Sequence, residues 1–215
     1  MKAVLFDFDE TLVYLPIDYD NVKRRLKKLF LQFGIKSDFH PLIESINDSL
    51  LKLENHVSKL SASEIKKKAY AILEDEELKS IKNAKLVEGA KEVLSFLKEN
   101  HVSIVVVSRN GRKCIEKSVM KLNIPQPDLI VSRDDVIELK PSPKHAIVAL
   151  EKLNLRPSEA LLVGDGYHDV ALGKNSGIRT VLVKNKKYMR ENILPDYVIS
   201  NLPEIINIFV KEGIK

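Results

Sequence analysis

The stretch Val4-Leu5-Phe6-Asp7-Phe8-Asp9-Glu10-Thr11 decides how the rest of the chain is read. Residues 4–8 are nearly all apolar, the pattern of a strand buried on both faces of a parallel sheet. The run then breaks off in acids and a threonine. A buried strand with a polar carboxyl-terminal tip marks the edge at which open α/β sheets meet their ligands.

After Leu15-Pro16 the periodicity changes from strand to helix. Val22, Leu26, Leu29, Phe30 and Phe33 share one face of a helix expected over 21–33, with Asp20 or Asn21 as its cap and Gly34 at its end. A second helix follows Pro41, with Leu42, Ile46, Leu50 and Leu53 in register. A third is expected from Ser61, which has capping-box spacing to Glu64, to about Ala84. No convincing strand interrupts 15–86, so that block reads as an all-helical insertion.

From Val87 onward helices and strands alternate. Helices are expected over 89–100, 111–122, 142–153 and 169–176, and strands over 102–107, 129–132, 160–163, 179–183 and 197–199. Pro143 suits the first position of its helix, and a last helix starts at Pro203. Such alternation implies a Rossmann-like, doubly wound parallel sheet with helices on both faces. The expected organisation is therefore α/β: a core domain from 1–14 and 87–215, and an inserted α-helical cap domain at 15–86.

Composition narrows the function classes. The 215 residues carry 35 basic and 30 acidic side chains, a net charge of +5 that suits small anions. No basic stripe with interleaved aromatics is present, so nucleic acid is not an expected partner. Cys114 is the only cysteine, which excludes an internal disulfide and a cysteine-based zinc site. The longest apolar runs, such as Ile104-Val105-Val106-Val107, are far too short to span a bilayer, and the amino terminus has no signal-peptide core. A soluble cytoplasmic protein, monomeric or homodimeric, is the expectation.

The polar residues gather at the strand tips. Asp7, Asp9 and Thr11 follow the first strand, Ser108, Arg109 and Asn110 follow the strand at 102–107, and Asp165 and Asp169 follow the strand at 160–163. Lys140 precedes the helix at 142–153, on the same side of the sheet. Each has an ordinary reading: Asn110 is expected to cap the helix after it, Lys140 can be a solvated lysine, and Asp165 and Asp169 can be turn and first-turn acids. Carboxylates, a hydroxyl and an ammonium converging on one edge argue instead for a site.

In this order the residues resemble the haloacid dehalogenase superfamily. Asp7-Phe8-Asp9-Glu10-Thr11 is similar to its first motif, Ser108 to its second-motif hydroxyl, and Lys140 to its third-motif lysine. Gly164-Asp165, with Asp169 four residues on, is similar to the acidic fourth motif. The resemblance covers the whole chain, and the insertion lies where the helical-cap phosphatases, such as phosphoglycolate phosphatase-like proteins, carry theirs. Glu10 departs from the glycine most common at its position, and Arg109 from the commoner Ser-Asn pairing.

The resemblance implies a Mg2+-dependent phosphatase acting on a small phosphorylated metabolite. Asp7 would be the nucleophile and Asp9 the general acid and base; Asp7, the main-chain carbonyl of Asp9 and Asp165 would hold the metal. Ser108, Arg109 and Lys140 would meet the phosphate, while Asp169, Thr11 and Asn110 would stand behind them, Asp169 orienting Lys140. The second aspartate points away from dehalogenases, which have no leaving group to protonate. A phosphomutase keeps both aspartates and remains an alternative. A receiver-like phosphate-binding module is a further one, although receivers are much shorter and lack the insertion. The insertion is expected to act as a lid. Of its residues, Lys23, Arg24, Arg25, Lys27 and Lys28 read mainly as a solvated face, and Asp18 and Tyr19 as neighbours of the leaving group. Tyr167 and His168 stand within the fourth motif, and His168 reads as a rim residue before a metal ligand.

Overall fold

The computed structural model describes residues 1–54, 58–184 and 193–211. Two compact units emerge, one formed by Met1–Leu15 with Asn83–Lys215, the other by Pro16–Lys82.

The first unit is built on β1 (Ala3–Phe6), and all of β1 is buried. In chain order it is followed by β2 (Val13–Tyr14) and, after the second unit, by β3 (Lys85–Leu86). Then come α4 (Ala90–Glu99), β4 (Ser103–Val107), α5 (Arg112–Leu122), β5 (Leu129–Val131), α6 (Lys144–Leu153) and β6 (Ala160–Gly164). The unit closes with α7 (Tyr167–Ser176), β7 (Arg179–Val183), β8 (Tyr197–Ile199) and α8 (Glu204–Lys211). Six strands form one parallel sheet in the order β5-β4-β1-β6-β7-β8, with β1 paired to both β4 and β6. The strand order reverses beside β1, so its tip opens between two diverging crossovers, where doubly wound sheets take ligands.

The apolar runs are explained by burial on both faces. Ala3 and Leu5 of β1, Val105 and Val107 of β4 and Leu162 of β6 pack with Ala146, Ala149 and Leu150 of α6 and Leu172 of α7. α4 and α8 meet through Phe96 and Phe209, whose rings stand edge to face 6.2 Å apart.

The second unit contains α1 (Tyr19–Leu31), α2 (Leu42–Glu54) and α3 (Lys59–Ser80), and Val22, Leu26, Phe30, Ile46, Leu53, Ile65, Ala69 and Leu73 are buried. The α1 cap is Asp18, whose side chain accepts the Asn21 N–H at 2.9 Å; the sequence pointed to Asp20 or Asn21 instead. α3 likewise starts before Ser61, capped by Ser58. Arg25 binds Asp75 and Glu76, so part of the basic face is tied down within the unit.

One expectation fails here. Residues 15–86 carry no strand signal in the sequence, yet Lys85–Leu86 pairs antiparallel with Val13–Tyr14 in a two-stranded ribbon. Two-residue strands leave no periodic signal, because alternation needs a longer run to register.

Candidate active site

The carboxyl end of β1 is continued by the Asp7 N–H, which donates to the Val163 carbonyl at 2.8 Å. Phe8 is fully buried, so Asp7 and Asp9 leave the chain on the opposite side, toward the open edge. The Asp7 Oδ1 accepts the Lys140 ammonium at 2.6 Å, and the same Nζ donates to Asp169 Oδ1 at 2.6 Å. Lys140 is only 3% exposed in its side chain, so it is not the solvated lysine of its ordinary reading. Asp9 Oδ1 accepts the Leu15 N–H at 2.9 Å, which makes the short ribbon a support for the second aspartate.

Asp169 stands in the first turn of α7, buried, with Oδ2 accepting the Gly166 N–H at 3.2 Å. Gly164 makes room for it: a Cβ there would lie 2.2 Å from Asp169 Cγ. Asp7, Asp165 and Asp169 each offer a carboxylate oxygen, all within 4.8 Å of one another.

The charge balance of this cluster is uneven. Burial pushes Asp165 up to about 8, and the charges of Asp7, Asp169 and Glu10 add to the shift. Burial also raises Asp7 to about 6, with Asp169 adding and Lys140 opposing. A single ammonium does not balance the carboxylates. Hard oxygen donors gathered around excess negative charge fit a small divalent cation such as Mg2+.

Glu10 adopts φ 64°, the left-handed region that L side chains enter at a cost of roughly 1 kcal/mol and glycine enters freely. That turn is why glycine suits the position and why Glu10 is its unusual letter. Thr11 is fully buried, and its Oγ1 has no hydrogen-bond partner among the described residues.

The residues expected on the phosphate side include the loop at the tip of β4. Ser108 follows β4 directly, and its N–H donates to the Val131 carbonyl at 3.0 Å. Its hydroxyl donates to Asn110 Oδ1 at 2.9 Å and accepts the Asn110 N–H at 3.2 Å. Asn110 therefore does not cap α5; Gly111 holds that position without a side-chain bond, because Asn110 turns back to the strand tip. The Arg109 carbonyl accepts Arg133 Nη1 at 2.9 Å. His168 lies outside the carboxylate cluster and stacks edge to face with Tyr167.

Two buried residues escaped the sequence reading. His145 accepts the Lys140 N–H on Nδ1 and meets the Val131 carbonyl through Nε2, each at 3.2 Å. Burial, aided by the Lys140 charge, pushes it down to about 3, so it is neutral with its proton on Nε2. It spaces the start of α6 from the end of β5 and aims the Lys140 segment. Its signal was its place on the apolar face, four residues before Ala149. The other is Arg133, in the turn Ser132-Arg133-Asp134-Asp135, which looks in sequence like a solvated charge run.

The sequence profile of the haloacid dehalogenase-like hydrolases matches residues 4–183. The chain belongs to that family. It is a hydrolase of the phosphatase kind. A pyrophosphatase, PpaX of Bacillus mycoides, is 28% identical over 97% of this chain and 96% of its own. Among solved structures, CbbY of Rhodobacter sphaeroides in complex with phosphate superposes with a TM-score of 0.68 at 18% identity, covering 94% of each chain. YfnB of Bacillus subtilis, a HAD-hydrolase bound to magnesium, superposes with a TM-score of 0.60 at 20% identity, over 96% of this chain and 97% of that one. At these identities the structural matches establish the fold. No helix among the described residues is long and apolar enough to cross a membrane.

Proposed function

We propose that this haloacid dehalogenase-like hydrolase is a Mg2+-dependent phosphatase acting on a small phosphorylated metabolite through an aspartyl-phosphate on Asp7. The observation that carries this reading is Lys140 Nζ, held at 2.6 Å from both Asp7 and Asp169 beside Asp165. A nucleophilic carboxylate must be aimed and kept ionised while a dianion approaches it, and a buried ammonium does both.

Asp7 attacks phosphorus, the phosphorus–oxygen bond to the leaving group breaks, and Asp9 gives its proton to the departing oxygen. Water then attacks the aspartyl-phosphate while Asp9 takes back a proton. This general acid and base role is worth roughly 10² to 10⁴ in rate. The Ser108 hydroxyl, engaged with Asn110, would turn its donor to a phosphate oxygen when substrate arrives, and Lys140 would offset charge on both partners. Asp7, Asp165 and the Asp9 carbonyl would hold Mg2+, with Asp169 close enough to join directly or through water. That ion would supply Lewis-acid compensation of the phosphate charge and relieve the carboxylate repulsion. The magnesium-bound relative supports this choice.

The relative named as a pyrophosphatase puts inorganic pyrophosphate beside phosphorylated sugars and acids in the substrate panel. The direct test is hydrolysis of p-nitrophenyl phosphate with and without Mg2+, by wild type and Asp7→Asn. Activity that needs Mg2+ and disappears in Asp7→Asn is expected. Full activity in the variant, or an inert wild type with Mg2+ present, would sink the assignment.

A further inference from the structure

We infer that Arg133 is a positioning residue that sets the peptide planes of the phosphate-binding loop at Ser108–Asn110. This role rests on the phosphatase reading above.

Arg133 is 93% buried, an unusual place for a guanidinium. It touches the loop twice. Its Nη1 donates to the Arg109 carbonyl at 2.9 Å, and its own backbone N–H donates to the Asn110 carbonyl at 3.1 Å. A trans peptide is planar, with its carbonyl and its N–H pointing in opposite directions. Anchoring the Arg109 carbonyl on Arg133 therefore turns the Asn110 N–H the other way, and it is found on Ser108 Oγ at 3.2 Å. Anchoring the Asn110 carbonyl likewise turns the Gly111 N–H away from Arg133, at the amino end of α5. Both peptide planes of the loop are thereby fixed, and with them the place of the Ser108 hydroxyl that the Asn110 N–H meets.

The turn that carries Arg133 is itself braced. Ser132 donates to Asp135 Oδ2 through its N–H at 2.7 Å and its hydroxyl at 2.5 Å. Arg112 ties Asp134 and Asp135 to the first turn of α5 at 2.8 and 2.7 Å. The guanidinium thus reaches the loop from a rigid base, and its charge sits behind the loop in a low-dielectric setting that favours a bound dianion.

The test compares wild type with Arg133→Met and Arg133→Lys, using p-nitrophenyl phosphate turnover, inhibition by inorganic phosphate and thermal melting. Arg133→Met should raise KM and the phosphate inhibition constant together, by about tenfold or more, with a smaller change in kcat. Arg133→Lys should recover part of that loss. A merely structural role would lower the melting temperature and leave both constants unmoved. Should both variants fail to fold, the wild type still decides: the amide NMR signals of Asn110, Gly111 and Arg133 should shift together on titration with phosphate. Folded variants with wild-type phosphate inhibition, or amide signals that ignore phosphate, overturn the role of Arg133 while an active wild type leaves the phosphatase reading standing. A wild type that neither hydrolyses p-nitrophenyl phosphate nor binds phosphate overturns both.

Discussion

Replacing Lys140 with methionine removes one ammonium and leaves three carboxylates facing one another. The lysine bonds Asp7 and Asp169 at 2.6 Å each and is almost wholly buried. Burial works against its charge, but Asp169 and Asp7 hold its pKa above the ordinary lysine value of 10.5. A group raised in the folded state contributes stability that is fully present below its unfolded pKa and is lost only as pH rises through the folded one. At pH 7 the whole contribution is therefore in force. Deleting one partner of a buried ion pair costs about 3–5 kcal/mol. Protonation of the orphaned carboxylates relieves part of this, so a loss of about 3 kcal/mol in urea unfolding without metal is expected. Catalysis should suffer more. The Asp7 carboxyl already stands at about 6, and loss of the ammonium raises it further, so fewer molecules carry the ionised carboxylate proposed as the nucleophile. With p-nitrophenyl phosphate and saturating Mg2+, kcat should fall by on the order of 10³, and the acidic limb of the pH–rate profile should move to higher pH. Lys140→Arg should keep more of the stability than Lys140→Met but little of the activity, because a planar fork does not replace a point donor between two carboxylates. Wild-type activity within about threefold in Lys140→Met, with an unmoved acidic limb, would refute the reasoning.

Asp165 and Asp7 have folded pKa values of about 8 and about 6, raised above the ordinary 3.8 by burial first. Carboxyls raised in this way make the native state bind more protons than the unfolded one, so metal-free stability should fall as pH rises from about 4 to about 8. Calorimetry should show a melting temperature roughly 5 °C higher at pH 6 than at pH 8 without metal, and a flatter dependence with Mg2+. Glu10→Gly relieves the positive φ and removes a charge facing Asp165, so the urea midpoint should rise by the equivalent of about 1 kcal/mol. Asp9→Asn should lose roughly 10² to 10⁴ in kcat on alkyl phosphates, whose alkoxide needs a proton, and less on p-nitrophenyl phosphate or pyrophosphate. An equal loss across those substrates would deny Asp9 its general-acid role.

Much of the architecture was legible in the chain because both periodicities are strong. The apolar runs over β1, β4, β6 and β7 have one stable solution, a parallel sheet covered on both faces. The stripe Val22-Leu26-Phe30 likewise declares an amphipathic helix. The candidate site was legible for a related reason: strand tips converge at one edge of such a sheet, so residues far apart in sequence become neighbours by topology.

What the tertiary structure alone decided are features with no local signal. The ribbon of Val13–Tyr14 with Lys85–Leu86 depends on two segments separated by a whole helical unit, and neither is long enough to show alternation. His145 and Arg133 carry polar groups that become meaningful only through the carbonyls they meet, at Val131 and Arg109. Lys140 stands out in the sequence through its likeness to the third-motif lysine, but its burial does not. Its burial against Asp7, 133 positions away, turns it into the group that balances the Asp7 carboxylate. Periodicity and strand order are local properties written along the chain, and they determined the fold and the edge on which the site lies. Which donor meets which acceptor at that edge depends on distances of a few tenths of an ångström, set by packing of the whole unit.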